Sequence, residues 1–186
     1  PIALAVVFGF CAVAMIGIMV YFSCIDTETD LGSFERIIRF NDKWGTHRGF
    51  MWIRSIWIFG DASFIEKLFG VGPDMFYSAF SPYFNDLSKY GDSSTNAAHN
   101  EYLNYLITIG ITGLLSYLAI VCGTIKNAVK YAKENPMLIA CVSAVICYAV
   151  QSVVNLYQPI TTPLFFIFIA LCEAFVRNAK AEKSAV

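Results

Sequence analysis

Long uncharged apolar runs, separated by shorter polar stretches, organise this chain. Residues 1–25 contain no Asp, Glu, Lys or Arg. At a rise of about 1.5 Å per residue, a helix of that length crosses a hydrocarbon layer of about 30 Å. Residues 102–125 and 137–158 are also uncharged, and a fourth run at 160–176 is interrupted only by Glu173. The pattern predicts an all-α, multi-span membrane bundle with spans at 1–25, 102–125, 137–158 and 160–176. A long loop fills 26–101, a short one fills 126–136, and residues 177–186 form a tail. Pro159 suits a tight hairpin between the last two spans, and Pro163 a first helical turn, where a missing N–H costs little. A signal peptide would be shorter and preceded by basic residues, which the first run lacks.

Composition sharpens this picture. The chain is 57% apolar and 15% charged, which excludes a disordered chain, an ordinary soluble enzyme and a nucleic-acid binder with a basic surface. Pro1 lies inside an apolar run, so the chain is expected to be a piece of one longer membrane domain. Lys126, Lys130 and Lys133 outnumber Glu134 in the short loop, and Arg177, Lys180 and Lys183 outnumber Glu182 in the tail. Short basic connections stay in the cytoplasm, which places 26–101, with its acidic excess, outside it. The six cysteines (11, 24, 122, 141, 147 and 172) show no CxxC pair or Cys/His cluster. They are expected to serve as small apolar packing residues, with no metal or disulfide.

The long loop has helical structure of its own. Leu31, Phe34, Ile37 and Ile38 recur at helical spacing, with Glu35, Arg36 and Arg39 on the other face. Phe50, Ile53, Ile56 and Trp57 form a second apolar face. Trp44, Trp52 and Trp57 beside it suggest a helix lying at headgroup level. A short helix over 63–69 ends at Gly70, Gly70-Val71-Gly72-Pro73 reads as a sharp turn, and another helix starts between Asp74 and Phe80. Tyr83, Phe84 and Tyr90 add an aromatic surface that suits sugar rings or lipid. Asp26-Thr27-Glu28-Thr29-Asp30 invites a calcium reading. Leu31 and Ile37 stand where an EF-hand needs Gly and Glu, so it reads as a solvated charge run.

Two residues could carry chemistry. Ser93, Ser94, Thr95 or Asn96 can cap the helix that follows, which puts His99 in its first turn. The positive end of a helix disfavours imidazolium and leaves the ring able to accept a proton, while Asp92 or Glu101 would push the other way. Arg48 and Arg54 sit on the tryptophan-rich segment, where a guanidinium either meets lipid phosphate or grips a diphosphate in its planar fork. The plainer reading of His99, and more so of His47, is a histidine that only hydrogen-bonds at the interface. Gln151 and Asn155 share a face of the third span and suit interhelical hydrogen bonds. Glu173 and Arg177 are spaced to pair along a helix.

Several motifs taken together resemble the O-antigen ligase and polymerase family. They are Thr46-His47-Arg48-Gly49-Phe50-Met51-Trp52, Leu68 to Phe76, Ala98-His99-Asn100-Glu101-Tyr102-Leu103, Gly110 to Leu115, and Gln151 to Asn155. The resemblance runs from about residue 40 to 175. It implies a GT-C-like, inverting, metal-independent glycosyltransferase with no cofactor, in the bacterial inner membrane. Such an enzyme moves a glycan from undecaprenyl diphosphate, or a similar polyprenyl carrier, to a sugar hydroxyl on a glycan or lipid-glycan acceptor. His99 matches the family's general base and Arg48 the arginine that holds the diphosphate. Arg54, Trp52, Asn100 and Glu101 are expected to contact substrate. The family's further upstream arginine is not in this sequence, so the site is expected to be incomplete. A transporter or flippase of lipid-linked glycans is the rival function, but it calls for polar residues through mid-membrane. A membrane anchor with a docking loop leaves the joint motifs unexplained.

Overall fold

The first apolar run forms α1 (Ile2–Val20) and ends in a π-helical turn, Tyr21–Ile25. The computed structural model describes residues 2–184, which are all-helical with no strand among them. The wide turn leaves carbonyls without helical partners, and Arg39 takes up the Phe22, Asp26 and Thr29 carbonyls at 3.1, 3.2 and 2.8 Å. Phe40 N–H adds a bond to Ser23 Oγ at 2.7 Å. Asp26 caps the backbone and hydroxyl of Thr29 in the exposed charge run. The loop is thereby fastened to the end of α1.

Short helices fill the loop. A 3-10 turn at Gly32–Phe34 leads into α2 (Glu35–Ile38). Then come α3 (Trp44–Asp61), α4 (Phe64–Phe69), α5 (Phe76–Phe80) and α6 (Phe84–Leu87). Ser63 and Glu66 form a reciprocal capping box on α4, which satisfies two N–H groups that its first turn leaves free. The loop core joins Phe50 and Met51 of α3 to Phe76, Phe80, Leu87, Ala98 and Ile107. The apolar face expected on α3 is displaced. Gly49, Phe50, Met51 and Ser55 are buried, whereas Ile56 and Trp57 are 54% and 50% exposed. Packing against α5 and the helix at 101–108 buries Phe50, Met51 and Ser55, with Trp52, Ile58 and Phe59 against the same core, and leaves Ile56 and Trp57 facing outward.

The uncharged run at 102–125 is not one helix. It divides into α7 (Glu101–Thr108) and α8 (Gly110–Tyr131), with Gly110 in the left-handed region at φ 69°. The turn at 70–72 lies in the break. Val71 and Gly72 donate to the carbonyls of Ile107 and Thr108 at 2.9 and 3.0 Å, and Thr112 Oγ1 donates to Leu68 O at 2.7 Å. A β-carbon on Gly70 would overlap the Thr108 backbone, and one on Gly110 would overlap that of Leu68. Glycine at both positions therefore permits a backbone-to-backbone joint.

The C-terminal helices are α9 (Met137–Gln151) and α10 (Thr161–Ser184), which pack with α8 and with each other. α9 ends at Gln151 rather than 158, so Asn155 leaves the helix and shares no helical face with Gln151. The Ser152 carbonyl accepts instead from Glu101 N–H at 2.9 Å. The hinge between α9 and α10 is therefore the irregular segment 152–160, not Gln158-Pro159 alone. α10 continues past 176 through most of the tail, where Arg177 pairs with Glu173 at 2.9 Å and Lys183 with Glu134. Cys141 and Cys172 are buried, but Cys11, Cys24, Cys122 and Cys147 are exposed, so the cysteines are not uniformly core residues. By length and composition α8 can cross a membrane, while Gly9–Ile25 and Met137–Gln151 are apolar but shorter.

Glu101 ties these parts together. Its carboxylate is 1% exposed and accepts from Tyr105 Oη at 2.8 Å, Tyr148 Oη at 3.1 Å and Ser152 Oγ at 2.8 Å. Tyr102 Oη adds a bond to the Ala149 carbonyl at 2.7 Å. Glu101→Ala would strand the Tyr105 hydroxyl and take the shared acceptor from Tyr148 and Ser152, which keep only one another and Thr162. The expected cost is about 2–4 kcal/mol, read as a drop of roughly 5–15 °C in the melting temperature of detergent-solubilised protein. Glu101→Gln, which keeps an acceptor oxygen, is expected to lose less.

Candidate functional site

The N-terminus of α7 sets the position of His99. Asn100 is its cap, accepting from Leu103 N–H at 3.0 Å, so the helix starts later than a cap at 93–96 would allow. His99 lies just before the cap, not in the first turn, and adopts φ 51°. A non-glycine residue held there is strained, and its neighbours must impose the conformation. Ala98 is fully buried and donates to Asn104 Oδ1 at 3.4 Å; Thr95 Oγ1 donates to Ala97 O at 2.9 Å. The half-buried imidazole forms part of the wall of an open cleft of about 500 Å³, with Met51, Tyr77, Asp92, Ser94, Thr95 and Asn96.

Arg48 enters from α3. Gly45, Thr46 and His47 are left-handed at φ 57°, 61° and 69°, and regular α-helix starts with Arg48. Gly49 then packs so closely on Asn41 that a β-carbon would overlap its carbonyl. The Arg48 side chain is half-buried and makes no hydrogen bond or ion pair among the described residues. Burial, and next the Arg48 charge, hold the His99 imidazole below its ordinary 6.5, while Asp92 opposes them. His99 and Arg48 thus lie within electrostatic range. Of the two acids expected to oppose that shift, Asp92 is among its causes, while Glu101 is engaged by Tyr105, Tyr148 and Ser152.

The other expected contact residues are engaged within the protein. Arg54 pairs with both Asp42 oxygens (Nη2 to Oδ2, 2.9 Å), and its guanidinium lies 4.1 Å from the Phe50 ring centre and 4.8 Å from that of Trp57. Tyr90 Oη also reaches Asp42, at 3.3 Å. Trp52 stacks obliquely on Trp44 at 5.0 Å, and its indole N–H is buried without a partner. Asn100 caps α7 and Glu101 holds the hydroxyl cluster. His47 lies 4.6 Å from the Tyr90 ring with a buried, unpartnered Nδ1. Sequence reasoning missed Tyr77 and Asn96 as cleft residues, and Tyr105, Tyr148 and Ser152 as partners of Glu101. An Asn directly before the run 101–108 was the available signal for the cap.

The charge arrangement fixes the sign of two perturbations. Arg48→Ala removes a nearby cation, so the His99 pKa is expected to rise; Asp92→Asn removes an anion, so it is expected to fall further. Both are read by following the imidazole resonances in an NMR pH titration.

The model of the O-antigen ligase family matches residues 2–118. It contains the cleft, Arg48, His99 and the glycine joint, and stops short of the Gln151–Asn155 motif. No curated protein and no solved structure matches the chain. Members of the family are bacterial membrane proteins acting on lipid-linked glycans, in accord with the apolar length of α8. With more than half its length matched, the chain belongs to the O-antigen ligase family.

Proposed function

We propose that this chain carries the transfer site of a multi-span inner-membrane glycosyltransferase, with residues 26–101 on the extracytoplasmic side. The donor is a glycan on a polyprenyl diphosphate and the acceptor a sugar hydroxyl. The His99 ring accepts the hydroxyl proton as the oxygen attacks the anomeric carbon of the donor glycan. The bond from that carbon to the diphosphate breaks, and its electron pair leaves with the polyprenyl diphosphate. Attack opposite the departing group inverts the anomeric centre. Arg48 meets the growing negative charge on the diphosphate, where a planar guanidinium matches phosphate oxygens. Arg54, tied to Asp42 and packed on Phe50 and Trp57, positions α3.

One observation supports this reading above the rest. A ring biased toward its neutral form faces an open polar cleft, and an unpaired guanidinium lies within range of it. In this reading the base and the leaving-group cation act on one bound pair of substrates.

The test uses purified full-length protein in detergent, undecaprenyl diphosphate-linked glycan and candidate acceptors. His99→Ala is expected to lower turnover about 10²–10⁴-fold, Arg48→Ala to lower it comparably, and Arg48→Lys to retain part of it. With the protein reconstituted in liposomes, movement of donor between leaflets with no new glycosidic bond would defeat the proposal. The rate should rise with pH as His99 loses its proton and level off above its pKa. Burial and Arg48 move that midpoint below 6.5, and Asp92→Asn should move it lower still.

A further inference from the structure

The cleft beside His99 has more recognition chemistry than proton transfer needs. Its floor includes Met51, 5% exposed, and Tyr77 is 50% exposed on the wall. Asp92, Ser94, Asn96 and the Tyr77 hydroxyl make no hydrogen bond among the described residues; Thr95 alone is turned inward, to Ala97. Four polar groups with unused capacity thus converge beside one aromatic face. A pyranose offers the matching pattern, with hydroxyls at its rim and C–H groups on one face.

Charge decides which sugar enters. Asp92 is the only carboxylate or fixed cation lining the cleft, and Arg48 is not among its walls. A diphosphate would meet the Asp92 carboxylate there, with the Arg48 guanidinium outside the wall. The donor's charged end is therefore excluded toward Arg48, which leaves the cleft to the partner whose hydroxyl must reach His99. A uronic acid would meet the same repulsion.

We infer that this cleft is the acceptor-sugar subsite, in which Tyr77 stacks on a neutral pyranose and Asp92 and Asn96 bind its hydroxyls, with Asp92 selecting against acidic sugars. The inference rests on the transfer reaction proposed above. Tyr77 and Asp92 are specificity residues in it, distinct from the base and the diphosphate cation.

Saturation-transfer NMR on the full-length protein, in a detergent without a sugar headgroup, tests it. The probes are the methyl glycosides of glucose, galactose, N-acetylglucosamine and glucuronic acid. Saturation should reach the neutral glycosides and fall about tenfold in Tyr77→Ala, as one ring face loses its apolar contact. Tyr77→Phe should retain it. The glucuronide should respond weakly in the parent protein and approach the glucoside in Asp92→Asn, a change of selectivity that misfolding does not produce. Equal responses from Tyr77→Ala and the parent, no response from any glycoside, or a glucuronide that matches glucoside in the parent would each overturn the inference. Glycoside binding needs no turnover. If binding behaves as stated while His99→Ala still transfers glycan, the transfer mechanism fails and the sugar site stands; the reverse result removes the sugar site alone.

Discussion

The structure depends on placing an ionisable carboxyl in a pocket that water barely reaches. Glu101 is 1% exposed and its neighbours are hydroxyls, with no cation among its hydrogen-bond partners. Burying such a group is costly unless its lone pairs are met. Tyr105, Tyr148 and Ser152 meet them from α7, α9 and the start of the 152–160 connection. The Glu101 N–H in turn takes the Ser152 carbonyl. Two parts of the chain far apart in sequence, α7 and the end of α9 with the connection after it, are thus fixed to one residue, two positions after His99. The strained backbone at His99 is held between this anchor and the buried Ala97-Ala98 pair.

A second constraint acts from the other end of α7. Ile107 and Thr108 turn their carbonyls toward Val71 and Gly72 instead of continuing the ladder into α8. The interruption leaves few polar backbone groups unsatisfied, because the loop supplies the donors that the helix has given up. Ile107 also belongs to the loop core, beside Phe50 and Phe76. α7 is therefore shared: its first turn belongs to the hydroxyl cluster, its last to the loop. α3 packs on it and carries Arg48, so a guanidinium and an imidazole from opposite ends of the loop come within electrostatic range of one another.

Much of this was legible in the sequence, and the failures have physical causes. The short helix over 63–69, its stop at Gly70 and the Glu173–Arg177 pair are local, set by residues within one turn or two of one another. The apolar runs were equally plain. The break at Gly110 was hidden because an uncharged run reads as continuous unless the backbone crossing it is known. α9 was drawn too long for the same reason, since the group that ends it, Glu101 N–H, is distant in sequence. Arg54 and Glu101 looked like substrate contacts because charge near a motif suggests exposure. Asp42 and the buried hydroxyls that occupy them carry no motif. His99 and Arg48 were recognisable by family resemblance, but their mutual range depends on how α3 meets α7.

The glycine joint also bears on biogenesis. Translation delivers Leu68 to Gly72 well before Ile107 to Thr112, so the turn exists for a time without the carbonyls it will serve. During that interval the loop core lacks Ile107, one of its walls, and the Val71 and Gly72 amides have only water. The loop and the helix after it must therefore mature as one cooperative unit, completed only when the later segment has emerged. A ribosome halted just before Gly110 would hold a loop segment unable to close on itself.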